Sequence, residues 1–369
     1  MFRSTAQSAE RRAAYIDWTR GIAVLLMIEA HTLDAWTHPS SRGSTAFAYA
    51  TMAAGFAAPL FLWLAGLAIP LAAASALRRG ASRRAAAEHV CKRGLEIFIL
   101  AFLFRLQAFT LTPGAHPITL FRVDILNIMG PAIVGCGLLW MCFESTPALV
   151  VAYSACATAV AMTTPLVRTT AFVSVLPVWM QWYVRPAADN TTFTAFPWIG
   201  FAFAGAAVGV LIAKARDRAK EWRLFAMVGI IGVALVGLGF LAASWPSIYL
   251  DSSFWTTSPT YFAIRAGAMM AAIALIYAVD RGASHDSLAV RLVGRLGRSS
   301  LFVYWIHVEL VYGYASWPIR RRLPLWGTAA AYVAFAALMI AAVTLRDRAA
   351  DAWRKRRKQM TFQYKVETV

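Results

Sequence analysis

Five ionisable side chains fall inside one apolar stretch near the start of the chain, Tyr15–Trp36, which reads YIDWTRGIAVLLMIEAHTLDAW. They are Asp17, Arg20, Glu29, His31 and Asp34. Such groups are costly in a lipid-spanning helix, and where they occur they mark a substrate path, a proton relay or a catalytic centre. On a helical wheel, Asp17, Arg20, His31 and Asp34 share one arc of about 100°, and Glu29 points to the opposite side. Arg20 and His31 are 11 positions apart, which is roughly 16 Å along a helix at ~1.5 Å per residue. Imidazole titrates near neutral pH, so His31 is the first candidate for proton transfer. Asp34, one turn on, is placed to orient one of its ring nitrogens. The guanidinium of Arg20, on the same face, suits an anionic group such as a phosphate.

These residues need a membrane bundle to hold them. The chain has 369 residues, 59% of them hydrophobic and only 15% charged, with a mean hydropathy of +0.57. That composition predicts an all-α, polytopic membrane protein. About ten transmembrane helices are expected, at Tyr15–Trp36, Phe47–Ala76, Leu95–Leu111, Val123–Cys142, Ala148–Pro165, Phe196–Ala213, Trp222–Ala243, Thr260–Val279, Ser299–Trp317 and Leu325–Leu345. With both termini cytoplasmic, 26 of the 36 Lys and Arg residues fall on the inner side and 7 on the outer. That bias predicts an N-in, C-in bundle. The domain division follows: a cytoplasmic N-terminus over 1–14, a membrane domain over 15–345 and a basic cytoplasmic tail over 346–369. The formal charge of +18 is then topology bias and attraction to anionic lipid, with no call for nucleic acid. The run Arg354-Lys355-Arg356-Arg357-Lys358 is expected to be a solvated cluster beside the membrane.

A second set of polar residues clusters by depth. Arg105 and Arg265 lie in the third and eighth spans. Arg122, Asp124 and Asn127 open the fourth. In the ninth, Ser300, Tyr304, His307 and Tyr314 share a face. With His31 and Asp34 these are expected to surround an outward-facing polar cavity, or else to pair with one another, as Arg122 with Asp124, and hold the bundle together. His38, in the loop after the first span, is the runner-up base, and His307 is expected to be a supporting group. His89, His116 and His285 are expected to be solvated. Arg78, Arg79 and Arg93 join Arg20 on the cytoplasmic side as candidates to hold the phosphates of a donor, although positive-inside topology accounts for the same charges. The four cysteines lie in or at the ends of spans and no cluster has zinc spacing, so neither a disulfide framework nor a metal is expected. No phosphate-binding glycine loop is present.

Four blocks carry a family resemblance: Asp17-Trp18-Thr19-Arg20-Gly21 with Met27 and His31; Ala58–Gly66 (APLFLWLAG) followed by Arg78-Arg79-Gly80; Arg122–Gly130 (RVDILNIMG); and Gly297–His307 (GRSSLFVYWIH). Phe196-Pro197-Trp198-Ile199-Gly200 adds to them. In order and spacing they resemble the heparan-α-glucosaminide N-acetyltransferase family and its bacterial relatives, within the wider superfamily of transmembrane acyltransferases. The resemblance implies that acetyl-CoA or another acyl-CoA binds from the cytoplasm as co-substrate. A sugar hydroxyl or amine then approaches from the other face, and a histidine near the outer end of the first span, or in the loop after it, is the base or a transient acyl carrier. In the animal enzymes the position of His31 is an asparagine and the key histidine comes later, which here would be His38 at a shorter spacing.

Two functions are therefore open. One is an acyltransferase in which His31 deprotonates the acceptor, Asp34 orients it, Asn127 or Arg122 stabilises the oxyanion, and the basic residues hold the donor. The other is a proton-coupled transporter or lipid-linked sugar translocase using the same charges as an ion path. The expected partners are membrane lipids, an extracytoplasmic glycan or glycolipid acceptor and a second copy of the chain in a homodimer. The Ala- and Arg-rich composition suggests a bacterial plasma membrane.

Overall fold

The computed structural model describes residues 2–111, 116–215, 218–282 and 287–367. It is 83% helical, with no strand among the described residues. The helices are α1 (Phe2–Trp36), α2 (Thr45–Ala54), α3 (Ala57–Arg78), α4 (Arg83–Leu111), α5 (Ile125–Cys142), α6 (Thr146–Thr169), α7 (Val178–Gln181), α8 (Ala195–Lys214), α9 (Arg218–Ala243), α10 (Pro259–Gly282), α11 (Leu288–Arg298), α12 (Ser300–Tyr312) and α13 (Leu325–Glu367). Among the described residues, eight stretches are long and apolar enough to cross a membrane: Thr45–Arg78, which combines α2 and α3, together with α4, α5, α6, α8, α9, α10 and the first part of α13. The protein is thus an all-α polytopic membrane bundle. The remaining two expected spans are α1, which carries five ionisable residues over Tyr15–Trp36, and α12, which is apolar but only 13 residues long. The short Thr-rich fifth span is a 24-residue helix, opened by the Ser145 hydroxyl accepting from the Ala148 N–H.

The chain divides into two compact units, residues 1–57 with 283–369 and residues 58–282. In the second unit, α4 packs on α5, α6 on α8, and α9 on α10. Its core includes Ile69, Ala73, Val90, Ile133, Cys136, Trp140 and Tyr153. Gly205 and Gly209, four residues apart on α8, meet the backbone of α3 at Trp63 and Leu67. This is the small-residue contact by which membrane helices approach closely where lipid supplies no hydrophobic drive between them.

In the first unit, α11 crosses the middle of α1 at a point where neither helix has room for a Cβ. A methyl group on Gly21 would overlap the Val293 carbonyl, and one on Gly297 the Asp17 carbonyl. The chain turns at Ser299 (φ −109°, ψ 16°), and α12 then follows α1 toward its C-terminal end. The indole N–H of Trp36 donates to the Val311 carbonyl at 3.3 Å, and Thr37 pairs with Leu323. α13 packs against the same end through Phe335 on Trp36 and Thr328 on Thr37. The ninth expected span, Ser299–Trp317, is shorter as an α-helix. Its 13 residues cover roughly 20 Å at ~1.5 Å each, less than the ~30 Å hydrocarbon core. It ends at Gly313, and Pro318 belongs to a 3₁₀ segment that follows.

The expected boundaries at 14 and 345 both fall inside continuous helices, α1 and α13. His285 lies outside the described residues, as do the side chains of Lys355, Arg357 and Lys358 in the basic tail. The Gly21–Gly297 crossing yields a test by thermal unfolding of purified protein. Gly297→Val is expected to lower stability by about 1–3 kcal/mol or more, since overpacking here meets backbone. Gly43→Ala, where a Cβ meets nothing within 4 Å, is expected to leave the midpoint unchanged. Equal midpoints for the two variants would contradict the crossing.

Candidate functional site

α1 runs as one helix from Asp17 to Asp34, roughly 26 Å at ~1.5 Å per residue, with buried Val24 and Met27 between the polar groups at its two ends, and the rest of the first unit gives those groups their partners. At the N-terminal end of this stretch, an Arg298 guanidinium N–H donates to the Asp17 carboxylate at 3.3 Å. Half-buried Arg20 has the same carboxylate as its electrostatic neighbour. Two cations therefore share one anion. Beside Arg298 in sequence, the Ser299 hydroxyl accepts from Arg346 at 2.8 Å and Arg295 donates to the Thr344 hydroxyl at 2.9 Å.

At the C-terminal end, His31 Nδ1 lies 2.7 Å from His307 Nε2, and His307 Nδ1 lies 2.8 Å from the Val303 carbonyl oxygen one turn back on α12. The imidazole planes differ by only 8°, with centroids 4.9 Å apart. That separation is taken up by the N···N contact and the two ring radii, so the rings meet edge to edge in one plane rather than face to face. His307 is fully buried and His31 half-buried. Tyr312 sets its ring across His31 at 5.6 Å, and Tyr304 lies against His307 at 5.9 Å.

Asp34 makes no direct bond to His31. Its carboxylate accepts from the Tyr312 hydroxyl at 2.9 Å, and Arg42 reaches back from the following loop with one nitrogen on the Asp34 carbonyl and another 4.0 Å from the carboxylate. One ring nitrogen of His31 is bonded to His307, and neither is bonded to Asp34. His38 is exposed, and its Nδ1 accepts the Ser40 N–H at 3.2 Å, capping a 3₁₀ turn. An Nδ1 that accepts leaves the proton on Nε2, so the ring's lone pair is committed to the cap.

Tyr312 and Arg42 were missed from sequence. Tyr312 lies five positions beyond His307, which no helical-face rule connects, whereas Tyr314, which helical spacing favours, falls in the 3₁₀ segment and is 70% exposed.

The other predicted residues belong to the second unit. Arg105 forms an ion pair with Asp124, with side-chain exposures of 14% and 13%. Asp124 thus pairs with Arg105, and Arg122 donates to the Thr192 hydroxyl instead. Asn127 is buried and closes the start of α5, with Oδ1 accepting from the Asp124 N–H at 2.9 Å and Nδ2 donating to the Tyr183 hydroxyl at 3.4 Å. Burial pushes the Tyr183 phenol above its ordinary value, and the bond from Asn127 pulls the other way. Arg265 donates to the Tyr261 hydroxyl at 2.9 Å and lies over that ring. Arg93 is paired with Glu96, and Arg79 with the Ser75 hydroxyl. Arg78 is exposed at the end of α3. Among the described residues, no group of three or more His, Cys, Asp or Glu side chains is disposed to hold a metal ion.

The burial of the Arg105–Asp124 pair gives it more weight than its exposed counterparts. Arg105→Met leaves a largely buried carboxylate without its countercharge and is expected to cost about 3–5 kcal/mol. Arg84→Ala removes a pair with Glu88 that is 82% and 62% exposed, and is expected to cost under about 1 kcal/mol. Unfolding midpoints of the two variants decide the matter, and a smaller loss for Arg105→Met would overturn the assignment.

Residues 13–345 match a family model described as an acyltransferase domain. No curated protein matches the chain.

Proposed function

The chain belongs to this acyltransferase family, and from that premise we propose that it moves an acetyl or other short acyl group from cytoplasmic acyl-CoA to an extracytoplasmic carbohydrate hydroxyl or amine, in a bacterial plasma membrane. The observation that carries the reading is the histidine pair. His31 is half-buried on a polar helix face, bonded through one nitrogen to a buried partner, while Arg20 occupies the other end of the same face. Family membership sets aside the alternative of a transport path through the same charges. The resemblance of the four blocks to the heparan-α-glucosaminide N-acetyltransferase family supports the finer terms, the acyl-CoA donor and the sugar acceptor.

The thioester supplies an activated acyl carbon and a thiolate leaving group. His31 takes the proton of the acceptor O–H or N–H as that atom bonds to the acyl carbon. When the C–S bond breaks, His31 returns the proton to the sulfur. The base is regenerated and no charge accumulates. Arg20 and Arg298 suit the donor's phosphates, because two guanidiniums share the single Asp17 carboxylate and leave a net cation. Exposed Arg78 and Arg79 fit an anion as well. Arg93, already paired with Glu96, fits one less well. Asn127, with its amide engaged at both ends, serves the start of α5.

Purified protein with acetyl-CoA and a panel of sugar acceptors tests this. His31→Ala is expected to lower the transfer rate by about 10²–10⁴-fold, the usual range for a lost general base, with His38→Ala close to wild type. Arg20→Ala is expected to weaken acetyl-CoA binding by about tenfold or more, since tenfold is near the lower end of the range for one charge-assisted bond. Transfer by His31→Ala at the wild-type rate would remove His31 as the base.

A further inference from the structure

Resting on His31 as the base, the geometry points to His307 as a positioning residue that fixes the tautomer of His31, so that Nε2 of His31 is the atom that takes the acceptor's proton. One partner in this line of contacts, the Val303 carbonyl, has a chemically unambiguous role. A backbone carbonyl oxygen only accepts, so the 2.8 Å contact between His307 Nδ1 and the Val303 carbonyl requires the proton on Nδ1. The reverse tautomer would set two lone pairs against each other in a fully buried site. A doubly protonated His307 would be a buried cation whose nitrogens face only a carbonyl and another imidazole, an uncompensated charge. A neutral ring with Nδ1–H has its lone pair on Nε2. That nitrogen faces His31 Nδ1 at 2.7 Å, so His31 Nδ1 donates. His31 in turn has its lone pair on Nε2, on the ring edge away from His307.

The bond directions then form one chain: His31 Nδ1–H to His307 Nε2, and His307 Nδ1–H to the Val303 carbonyl. The near-coplanar rings make the first bond straight. When Nε2 of His31 takes the acceptor proton, its Nδ1–H becomes a charge-assisted donor to an unprotonated partner, so the bond strengthens as the imidazolium forms. His307 neither touches the substrate nor changes its own proton count. Tyr312, with its ring across His31 and its hydroxyl held by Asp34, limits rotation in the other direction. Asp34 therefore acts on His31 through Tyr312.

Two amide variants separate this role from simple packing, because each copies one nitrogen of the ring. The oxygen of His307→Gln occupies the place of Nε2 and still accepts from His31. The amide of His307→Asn occupies the place of Nδ1 and still bonds Val303, but offers nothing to His31. With acetyl-CoA as donor, His307→Gln is expected to keep kcat within roughly tenfold of wild type. His307→Asn is expected to lose about 10²-fold or more with the KM for acetyl-CoA unchanged, as when a base is left in the wrong tautomer. Equal or higher kcat for His307→Asn than for His307→Gln, with both folded by thermal unfolding, would overturn the assignment. A second measurement needs neither turnover nor a variant. In ¹⁵N-histidine-labelled wild-type protein, NMR is expected to show His31 protonated at Nδ1 and bare at Nε2, with scalar coupling across the bond to His307 Nε2. His31 bare at Nδ1 overturns the proposal even if acyl transfer is observed, and the expected pattern upholds the tautomer even if acyl transfer is not.

Discussion

A single bond between two imidazoles ties α1 to α12, and the chemistry assigned to α1 depends on it. His31 alone would be free to rotate and to carry its proton on either nitrogen. Bonded to a buried His307, whose other nitrogen is claimed by its own helix backbone, it has one orientation and one tautomer. The bond in turn requires α12 to run close beside α1. That closeness begins a few turns earlier, where Gly21 and Gly297 let the backbones of α1 and α11 touch and the chain reverses at Ser299.

The same economy governs the other polar groups. Four of the acidic side chains have a partner of opposite charge or a hydrogen bond: Asp17 with Arg298, Asp34 with Tyr312, Asp124 with Arg105, and Glu221 with Arg281. This satisfies the rule that polar groups in a bundle interior are paired. Glu29 fits the rule differently. It is half-buried on the side of α1 opposite His31, with Tyr332 of α13 as its electrostatic neighbour. The acyl-transfer chemistry makes no use of it.

Much of the fold was legible in the sequence because a spanning helix needs a long apolar run, and eight such runs are plain. α1 and α12 were also legible as apolar runs, although α1 carries ionisable residues and α12 is short. The length of α12 was misjudged, since the apolar residues continue past Gly313 into a segment that Pro318 and the backbone turn into a 3₁₀ helix. For the site, helical spacing placed His31 and His307 around one polar cavity and looked to Asp34 to orient a ring nitrogen of His31, whereas the bond His31 makes is to His307. A contact between residues 276 positions apart has no signature in local periodicity. The Arg105–Asp124 pair was missed for the same reason, as its members come from different helices and Arg122 was the nearer cation in sequence.

The central claim, that the chain transfers acyl groups through His31, is tested most directly by mass spectrometry of envelope glycans from cells that carry the wild-type chain, the His31→Ala chain or neither. The account predicts an acetyl mass increment on a glycan in the first case only. The same increment with His31→Ala, or identical glycans in all three, would contradict it.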